Sequence, residues 1–453
     1  MITETICALA TPSGGAIGVI RISGPQAISI TANTFHSANG RSLTEANPNT
    51  IHYGEIINRK GDVIDDVLVS IFRAPHSYTG EDSTEISCHG SHYIINEILH
   101  TLIDAGCRQA KAGEYTQRAY LNGKMDLSQA EAVADLIATT NRATHRIALS
   151  QLKGNFSNEL SILRDQLLKI TSLIELELDF SDQDVNFADR QELLELVQKA
   201  EQRIGTLATS FETGNALKKG VPVAIVGKTN VGKSTLLNRL LHEDKAIVSD
   251  IHGTTRDVIE DTTEIHDITF RFIDTAGIRH TDDKIELLGI ERTYQKINEA
   301  TIILWLIDKQ PTNEEISEIK KNIRGKKLIT VWNKIDLENT PPIPTSLQSP
   351  IIYISAKQGT NIPQLEDALF QAADIPEIKE NDIIITSARH YEALTHAHES
   401  ISRVIEGLQK NLSGDLLSED LRICIDHLAE ITGGQITTNE VLENIFSHFC
   451  IGK

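Results

Sequence analysis

At 453 residues, the chain is longer than a single hydrophobic core usually supports, so we expect two or three domains. Its composition, 40% hydrophobic and 23% charged, is that of an ordinary globular protein and excludes a disordered or fibrous one. The 43 lysines and arginines against 63 aspartates and glutamates give a net charge of -20, which disfavours nonspecific binding to nucleic acid or anionic lipid. Any contact with RNA must therefore be local or shared with a partner.

The cysteines and the N-terminus indicate the compartment. The five cysteines are scattered, odd in number and without CxxC spacing, so we expect neither a disulfide framework nor a zinc site. The first residues lack the basic region and long apolar run of a signal peptide, and no apolar stretch reaches the roughly 18 residues that span a bilayer. We predict a soluble, cytoplasmic protein with no membrane association.

The first half of the chain contains two regions of different periodicity. Residues 1–120 alternate short β-branched runs, such as Ala16–Ile22 and Val67–Phe72, with a helical stretch at His92–Asp104, which predicts a compact α/β domain. Residues 121–215 carry apolar residues at spacings of three and four, which predicts the first part of a helical domain.

The second half repeats this change. In residues 216–377 apolar strands alternate with helices, which is typical of a doubly wound parallel sheet. Helical periodicity returns in residues 378–453. The simplest interpretation is that the strand-rich segment is inserted into a helical domain that both flanks build. A plain tandem of four domains is the alternative.

A phosphate-binding loop follows the apolar strand Val223–Val226. The loop runs from Gly227 to Ser234 and a helix is predicted over Thr235–Leu241, which is the context that a P-loop requires. Backbone N–H groups close around the phosphates, Lys233 reaches the β and γ oxygens, and Ser234 ligates Mg2+. The residues that this segment is expected to bring to the nucleotide are Asn230, Val231, Gly232, Lys233, Ser234 and Thr235.

Two further segments fit the γ-phosphate and the metal. A buried strand, Phe270–Ile273, ends at Asp274, which can hold the metal through water, and Gly277 is free to approach the γ-phosphate. Between this motif and the P-loop, the hydroxyl of Thr255 is a candidate second protein ligand for Mg2+; a threonine that caps a turn is the alternative. The motif after the strand consists of Asp274, Thr275, Ala276 and Gly277.

Base selection is predicted from two later motifs. The strand from Leu328 ends in Asn333, Lys334 and Asp336, and the Asp336 carboxylate can accept from both N1–H and the exocyclic amino group of guanine. Adenine does not present that pair of donors, so GTP is preferred to ATP. A second strand end supplies backbone groups that can meet the guanine oxygen, from Ser355, Ala356 and Lys357. Four motifs in this order predict a GTPase.

The chain lacks the residue that commonly orients water for GTP hydrolysis. Many small GTPases carry a glutamine after the aspartate motif to orient the attacking water, and this chain has Ile278 there. An isoleucine cannot orient water. Another group must do so, and another positive charge must offset the charge that develops on the transferring phosphoryl group.

Motifs outside the GTP-binding segments give the chain a family resemblance. They are Ala10–Gly24, Tyr78–Asp82, Gly113–Leu127 and the terminal Cys450–Lys453. Together with the GTP-binding motifs, they resemble the bacterial and organellar tRNA modification GTPases MnmE (TrmE) over essentially the whole chain. The resemblance implies a folate-binding N-terminal domain that forms a homodimer, a helical domain, and an inserted G domain that dimerises across its nucleotide face.

The resemblance also implies a potassium site. In this family potassium takes the role that an arginine finger plays elsewhere. The Asn230 side chain should ligate it, with the backbone carbonyls of Ser249, Ile251 and Thr254 completing the site, which also places Ser249 and Thr254 among the GTP-binding residues. Many members have proline where this chain has Thr229, but the ligand is unchanged.

The implied catalytic residues are Lys233, Thr255 and Glu286. By its spacing after Asp274, Glu286 matches the carboxylate that orients water in the family. Taken alone, Glu286 is more simply one acid at the start of a charged helix, and the adjacent Asp282–Asp283 pair leaves the assignment open to a shift.

For the folate, a 5-formyl or methylene tetrahydrofolate that carries one carbon, the family pattern indicates Arg21, Glu81, Lys124 and the nearby Lys453. The two internal cations can pair with the folate carboxylates or its polar ring edge, and Glu81 can accept from pterin N–H groups. Without the resemblance, each is more simply a surface or strand-end charge. Cys450 is more simply an inert thiol than a nucleophile.

Two functions follow as hypotheses. In the first, the chain works in a heterotetramer with a flavoprotein of the GidA (MnmG) family and installs an aminomethyl-type group at C5 of wobble uridine in tRNA. No G-x-G-x-x-G follows a strand here, so FAD belongs to the partner. The alternative is a regulatory GTPase of the Era and Der kind, which acts in ribosome assembly. Such proteins usually carry a basic RNA-binding appendage, and none is visible.

Overall fold

The computed structural model describes residues 4–179, 190–241, 261–273, 299–323, 325–337, 351–376, 382–434, 439–447, 449 and 451–452. The chain divides into two compact units. The first contains Met1–Ala138, Ala148–Gln202 and Ala393–Lys453, and the second contains Thr139–Ile147 and Arg203–Glu392. Within the described ranges, no helix has both the length and the apolar character that crossing a membrane requires.

A seven-stranded sheet forms the N-terminal part of the first unit. Its strands are β1 (Ile6–Leu9), β2 (Ile17–Ser23), β3 (Phe35–Ser37), β4 (Thr50–Ile57), β5 (Val63–Phe72), β6 (Ser83–His89) and β7 (Arg108–Gln109). They lie in the order β3-β4-β5-β6-β2-β1-β7. All neighbours are antiparallel except the parallel pair of β1 and β7. The predicted α/β character of this region is confirmed.

The two faces of this sheet differ. Alternate residues of the strands, such as Ile20 and Val69, are buried together with apolar residues of α1 (Ala27–Thr34) and α2 (His92–Asp104). Helix α2 has the bounds that the sequence predicts. Because successive side chains of a strand point to opposite faces, the residues between them lie on the second face. There Ile6 and Ala8 of β1 are buried with Tyr115, whereas Leu68 of β5 is exposed.

Helices follow the sheet along the chain. They are α3 (Glu114–Leu121), α4 (Leu127–Ile137), α5 (Arg142–Leu152), α6 (Asn155–Asp179) and α7 (Arg190–Lys219). A capping box starts α4: the Asp126 carboxylate accepts from the N–H of Gln129, whose side chain accepts from the N–H of Asp126. Helix α7 ends at Lys219, where the sequence indicates the change from helices to strands.

A six-stranded sheet forms the second unit. Its strands are β8 (Val221–Val226), β9 (Asp261–Ile265), β10 (Ile268–Phe272), β11 (Ile302–Ile307), β12 (Lys327–Trp332) and β13 (Ile351–Tyr353), in the order β13-β12-β11-β8-β10-β9. Its helices are α8 (Lys233–Leu240), α9 (Asn313–Asn322) and α10 (Ile362–Ala373). Val223 and Ile225 pack with α8 and α10, whereas Ala224 and Val226 face a second core with α9. The predicted doubly wound sheet is confirmed.

One edge of this sheet departs from a purely parallel arrangement. Strand β9 pairs antiparallel with β10, through a two-residue hairpin turn at His266 and Asp267. Both turn residues have positive φ, 50° and 64°, which is the backbone of a type I′ turn. The sequence gives little warning of it, because Asn-Gly and Asp-Gly are the usual residues there.

The remaining helices belong mostly to the first unit. They are α11 (Ala388–Gln409), α12 (Gly414–Thr432) and α13 (Asn439–Ser447). Arg422 of α12 donates to Glu175 of α6 at 2.7 Å, and His398 of α11 lies 2.7 Å from Glu201 of α7. Helices that precede the second sheet along the chain thus pack with helices that follow it. This confirms a helical domain interrupted in sequence by an α/β domain. The boundaries at residues 120, 215 and 377 stay predictions.

Candidate functional site

The phosphate loop begins directly after β8. Three residues of the loop have positive φ: Gly227 at 156°, Asn230 at 58° and Gly232 at 101°. At Gly232 there is no room for a side chain, because a Cβ would collide with the amide of Asn333. Helix α8 starts at Lys233, two residues before the predicted start, since this turn already aligns the chain with the helix axis.

The predicted phosphate and metal ligands lie at the start of α8. The Lys233 ammonium donates to the backbone oxygens of Gly227, at 2.6 Å, and Lys228, at 2.8 Å, so it folds back over the loop. Ser234 and Thr235 are exposed in the first helical turn, and their hydroxyls make no hydrogen bond within the described parts of the chain. A free hydroxyl beside a lysine at a helix N-terminus fits a metal-bound phosphate.

Asn333 holds two loops together. Its side chain is buried, with 3% of the residue exposed. The amide nitrogen donates to the Val231 oxygen at 2.8 Å, and the amide oxygen accepts from the Ala356 N–H at 2.9 Å. The sequence placed Asn333 among the nucleotide contacts; in the structure its side chain ties the phosphate loop to the loop after β13.

Lys334 joins three strand ends. Its ammonium donates to the backbone oxygen of Asn230 at 2.6 Å and to the carboxylate of Asp308 at 2.7 Å. Asp308 follows β11, and no motif singles it out. Only its position in the sequence could have indicated a site residue, because Asp308 comes directly after a fully apolar strand, as the recognised site residues do. The ammonium therefore connects the loops after β8, β11 and β12.

Asp336 faces the loop after β13. One of its carboxylate oxygens accepts from the Ser355 hydroxyl at 2.7 Å, and the other accepts no hydrogen bond from the described residues. The Ser355 hydroxyl also accepts from the N–H of Gln358 at 3.1 Å, so its orientation is fixed. The arrangement leaves an oriented carboxylate oxygen at the edge of the sheet.

Several predicted residues lie outside the described part of the chain. They are Ser249, Ile251, Thr254, Thr255, Asp274, Thr275, Ala276, Gly277, Glu286 and Lys453. The structure brings together the remaining predicted GTP-site residues, at the carboxyl ends of the parallel strands β8, β12 and β13, with β11 between β8 and β12, and open α/β sheets bind ligands at this edge.

A second polar cluster occupies the N-terminal region and begins at Arg21 of β2. Its guanidinium pairs with Glu85 of the neighbouring β6, at 2.9 and 2.8 Å. The same guanidinium lies over the rings of Tyr78 and Tyr115, at 5.4 and 5.7 Å from their centres. Tyr115 also donates its hydroxyl to the Arg21 carbonyl at 2.7 Å. Arg21 is thus held on three sides.

Glu81 is held by a fully buried arginine. Arg118 of α3 donates to both Glu81 carboxylate oxygens, at 3.3 and 3.1 Å, and to Glu114 at 2.9 Å. Ser23 donates to Glu81 at 2.8 Å. Burial alone would raise the pKa of Glu114, but hydrogen bonds from Arg108, the Lys111 N–H and Arg118 lower it to about 2. Glu81 therefore belongs to a charged network rather than standing alone.

Lys124 completes the predicted set. Its ammonium donates to the Pro75 oxygen at 2.9 Å, in the segment between β5 and β6 that also contains Tyr78 and Glu81. Arg21 and Lys124 thus contact residues 73–82 through Tyr78 and Pro75, and Glu81 belongs to that segment. The C-terminal segment also reaches the N-terminal region, since Ile451 bridges to Ala112.

Two family models cover the chain. Residues 5–124 match the model described as the GTP-binding protein TrmE N-terminus, and residues 127–450 match the MnmE helical domain. Among solved structures, the G domain of the T. maritima FeoB iron transporter aligns with 34% of this chain and 98% of its own, at 20% identity and a TM-score of 0.26. That structural similarity is too low to carry an argument.

Curated relatives match over their whole length. The tRNA modification GTPase MnmE of Bacteroides fragilis is 57% identical over 99% of both chains, and that of Phocaeicola vulgatus is 56% identical over 99% of both. The protein of the same name from Christiangramia forsetii is 48% identical over 100% of both. The chain therefore belongs to the family of tRNA modification GTPases called MnmE.

Proposed function

We propose that this GTPase selects guanine through Asp336, hydrolyses GTP with the help of potassium, and works with a GidA (MnmG) flavoprotein to modify C5 of wobble uridine in tRNA. A tetrahydrofolate supplies the one-carbon unit, and FAD belongs to the partner. The observation that carries the proposal is the joining of the phosphate loop and the base-recognising loop by Asn333. Cytoplasmic location and domains 1–120, 121–215, 216–377 and 378–453 are part of the proposal.

Guanine selection rests on the orientation of Asp336. Ser355 holds one carboxylate oxygen, which fixes the plane of the group and leaves the other oxygen for ligand donors. The carboxylate can then accept from guanine N1–H and the 2-amino group. Lys334, two residues before Asp336, is held between Asn230 and Asp308.

The substitution Asp336→Asn tests guanine selection. Losing charge-assisted hydrogen bonds should weaken GDP binding about 100-fold, because such bonds contribute about 1.5–3 kcal/mol each. Binding of xanthosine diphosphate should improve, since xanthine presents an oxygen where guanine has its 2-amino group and an amide NH2 can donate to it. Dissociation constants from fluorescent-nucleotide competition measure both effects. Asp374→Asn, which changes an exposed carboxylate paired with Lys327, is the matched control; an unchanged preference in Asp336→Asn would refute the role.

Phosphate and metal binding follow from the start of α8. Membership of a GTPase family implies a nucleotide with Mg2+. The Ser234 hydroxyl, which has no hydrogen-bond partner among the described residues, supports this residue as one protein ligand, with Thr255 as the second. Lys233 would exchange its backbone partners for phosphate oxygens. A bound Mg2+ would neutralise charge on those oxygens.

Potassium use is proposed through Asn230. Its side chain is exposed, and its amide makes no hydrogen bond within the described residues, whereas its carbonyl is held by Lys334. The amide oxygen is therefore presented from a fixed backbone. The carbonyls of Ser249, Ile251 and Thr254 would complete the ion site, and Glu286 would orient the attacking water.

Comparing GTP turnover in potassium and sodium at equal ionic strength tests this proposal. We expect turnover about 100-fold faster in potassium, the scale of one well-placed electrostatic contact to the transition state. Asn230→Ala should lose the potassium effect, whereas Asn238→Ala, an exposed asparagine on α8, should keep it. Glu286→Ala should be slow in both salts while binding GDP normally. Equal rates of GTP turnover by the wild type in the two salts would refute the proposed potassium site.

Folate binding is proposed for the cluster around residues 73–82. Its support is that two cations contact this segment, which itself contains the Glu81 carboxylate, and that Arg21 is held rigidly by Glu85 and two tyrosine rings. A rigid guanidinium loses little entropy when it pairs with a ligand carboxylate. Glu81 would face pterin N–H groups, and Lys453 would lie nearby.

Calorimetric titration of the full chain with 5-formyltetrahydrofolate tests the folate site. Arg21→Gln should weaken binding at least about tenfold, because a charge-assisted contact is lost. Arg59→Gln, whose exposed arginine pairs weakly with Asp104 in the same region, should not change it. If Arg21→Gln bound the folate as tightly as the wild type, the proposed role of Arg21 would be refuted. Absence of binding by the wild type would refute the folate proposal as a whole.

Homodimer formation is proposed for the exposed part of the N-terminal sheet's second face, on β4 and β5. Ile51 and Tyr53 of β4 and Leu68 of β5 are 67%, 57% and 46% exposed, and Tyr53 lies directly opposite Leu68. Adjacent exposed apolar residues on a sheet face are typical of an interaction surface. The symmetric partner that the family resemblance implies is a second copy of the chain.

Sedimentation equilibrium tests the dimer. The wild-type chain, of 50.0 kDa, should sediment as a dimer, and Leu68→Asp should shift it to monomer because a charge would be buried in an apolar contact. Leu416→Asp places the same charge at a residue that is 51% exposed on α12 and should leave the dimer intact. A dimeric Leu68→Asp protein would exclude this face.

A further inference from the structure

Arg239, on the last turn of α8, contacts the loop after β13. Its Nη2 donates to the Lys357 carbonyl at 2.9 Å, and its Nε donates to the Ala356 carbonyl at 3.4 Å. The guanidinium carbon also lies 3.8 Å from the position that a Cβ would occupy on Gly359. Helix α8 therefore meets the phosphate loop at its first residue and the base-recognising loop near its last.

Among three consecutive backbone N–H groups of that loop, two have hydrogen-bond acceptors within the described residues and one has none. The Ser355 N–H donates to the Thr360 oxygen at 3.2 Å, and the Ala356 N–H donates to the Asn333 side chain at 2.9 Å. In the part of the chain that the structure describes, the Lys357 N–H has no acceptor. It is the donor of the three that is available to an oxygen of a ligand.

The contact of Arg239 acts on the same peptide group. The Ala356 carbonyl and the Lys357 N–H belong to one planar trans peptide and point in opposite directions. When Arg239 holds the carbonyl, it also fixes the direction of the free N–H. A guanidinium suits this task because its planar fork reaches two consecutive carbonyls, whereas a lysine ammonium is a single point charge.

We propose that Arg239 is a positioning residue for guanine recognition: it orients the Lys357 N–H so that this group donates to the 6-oxygen of the base. The inference rests on the proposed recognition of guanine by Asp336 and deepens it. The Asp336 carboxylate accepts from the N1–H and 2-amino groups of guanine, and the Lys357 N–H donates to the 6-oxygen beside them. The two-turn helix α8 thereby links phosphate binding to reading of the base.

The test compares three diphosphates on the full chain: GDP, 6-thio-GDP, whose sulfur is a weaker acceptor than oxygen, and IDP, which lacks the 2-amino group. In Arg239→Gln the Kd for GDP should rise about tenfold, which is the scale of one hydrogen bond. The preference for GDP over 6-thio-GDP should fall about fivefold, to near unity, because the oriented donor is lost. The preference for GDP over IDP should stay unchanged, since it reports Asp336.

Two further variants complete the design. Arg239→Lys should give an intermediate preference, and Arg142→Gln, an exposed arginine 3.8 Å from Asp267 in the same unit, should behave as wild type. An unchanged 6-thio preference, or an equal fall in both preferences, would overturn the role of Arg239. Failure of the underlying base recognition would appear separately, as an Asp336→Asn variant that keeps its preference for GDP over IDP.

Discussion

The buried amide of Asn333 is the contact on which the nucleotide site depends. It donates to Val231 and accepts from Ala356, so one side chain fixes both the phosphate loop and the loop that we propose recognises the base. A buried amide with one partner missing would cost free energy, which makes the two loops adopt their positions together. Gly232 is required for the same reason, because a Cβ there would occupy the space of this amide.

The N-terminal region uses a buried charge in a comparable way. Arg118 is fully buried, and its guanidinium joins Glu81, Glu114 and the backbone oxygen of Glu4. Removing two charges from water costs about as much as their attraction returns, so such a network gives little net stability. Its effect here is geometric: it sets the position of Glu81 relative to α3, which also carries Tyr115 beneath Arg21.

The sequence predicts the elements of the fold better than the partners of its polar residues. Strand Ile302–Ile307 is apolar throughout because both faces of a parallel sheet are buried, and α2 has a clear helical period, so both are visible without a structure. The pairing of Arg21 with Glu85 is not, because it depends on β2 lying beside β6, 64 residues away. Asn333 belongs to a recognised motif, yet its burial follows only from the packing of two loops. Asp308 and Arg239 belong to no motif and act through contacts that folding creates.

The polar groups of the nucleotide site divide into a framework and a set of free groups. In the framework, the side chains form hydrogen bonds with other parts of the chain; these are Asn333, Lys334 and Ser355. By contrast, the second oxygen of Asp336, the Ser234 hydroxyl and the Lys357 N–H have no partner within the described residues. Orienting these groups before the ligand arrives reduces the entropy that binding must overcome. Because the framework joins successive strand ends, a displacement of the phosphate loop would also move the groups that we propose recognise the base, and this would couple phosphate binding to guanine binding.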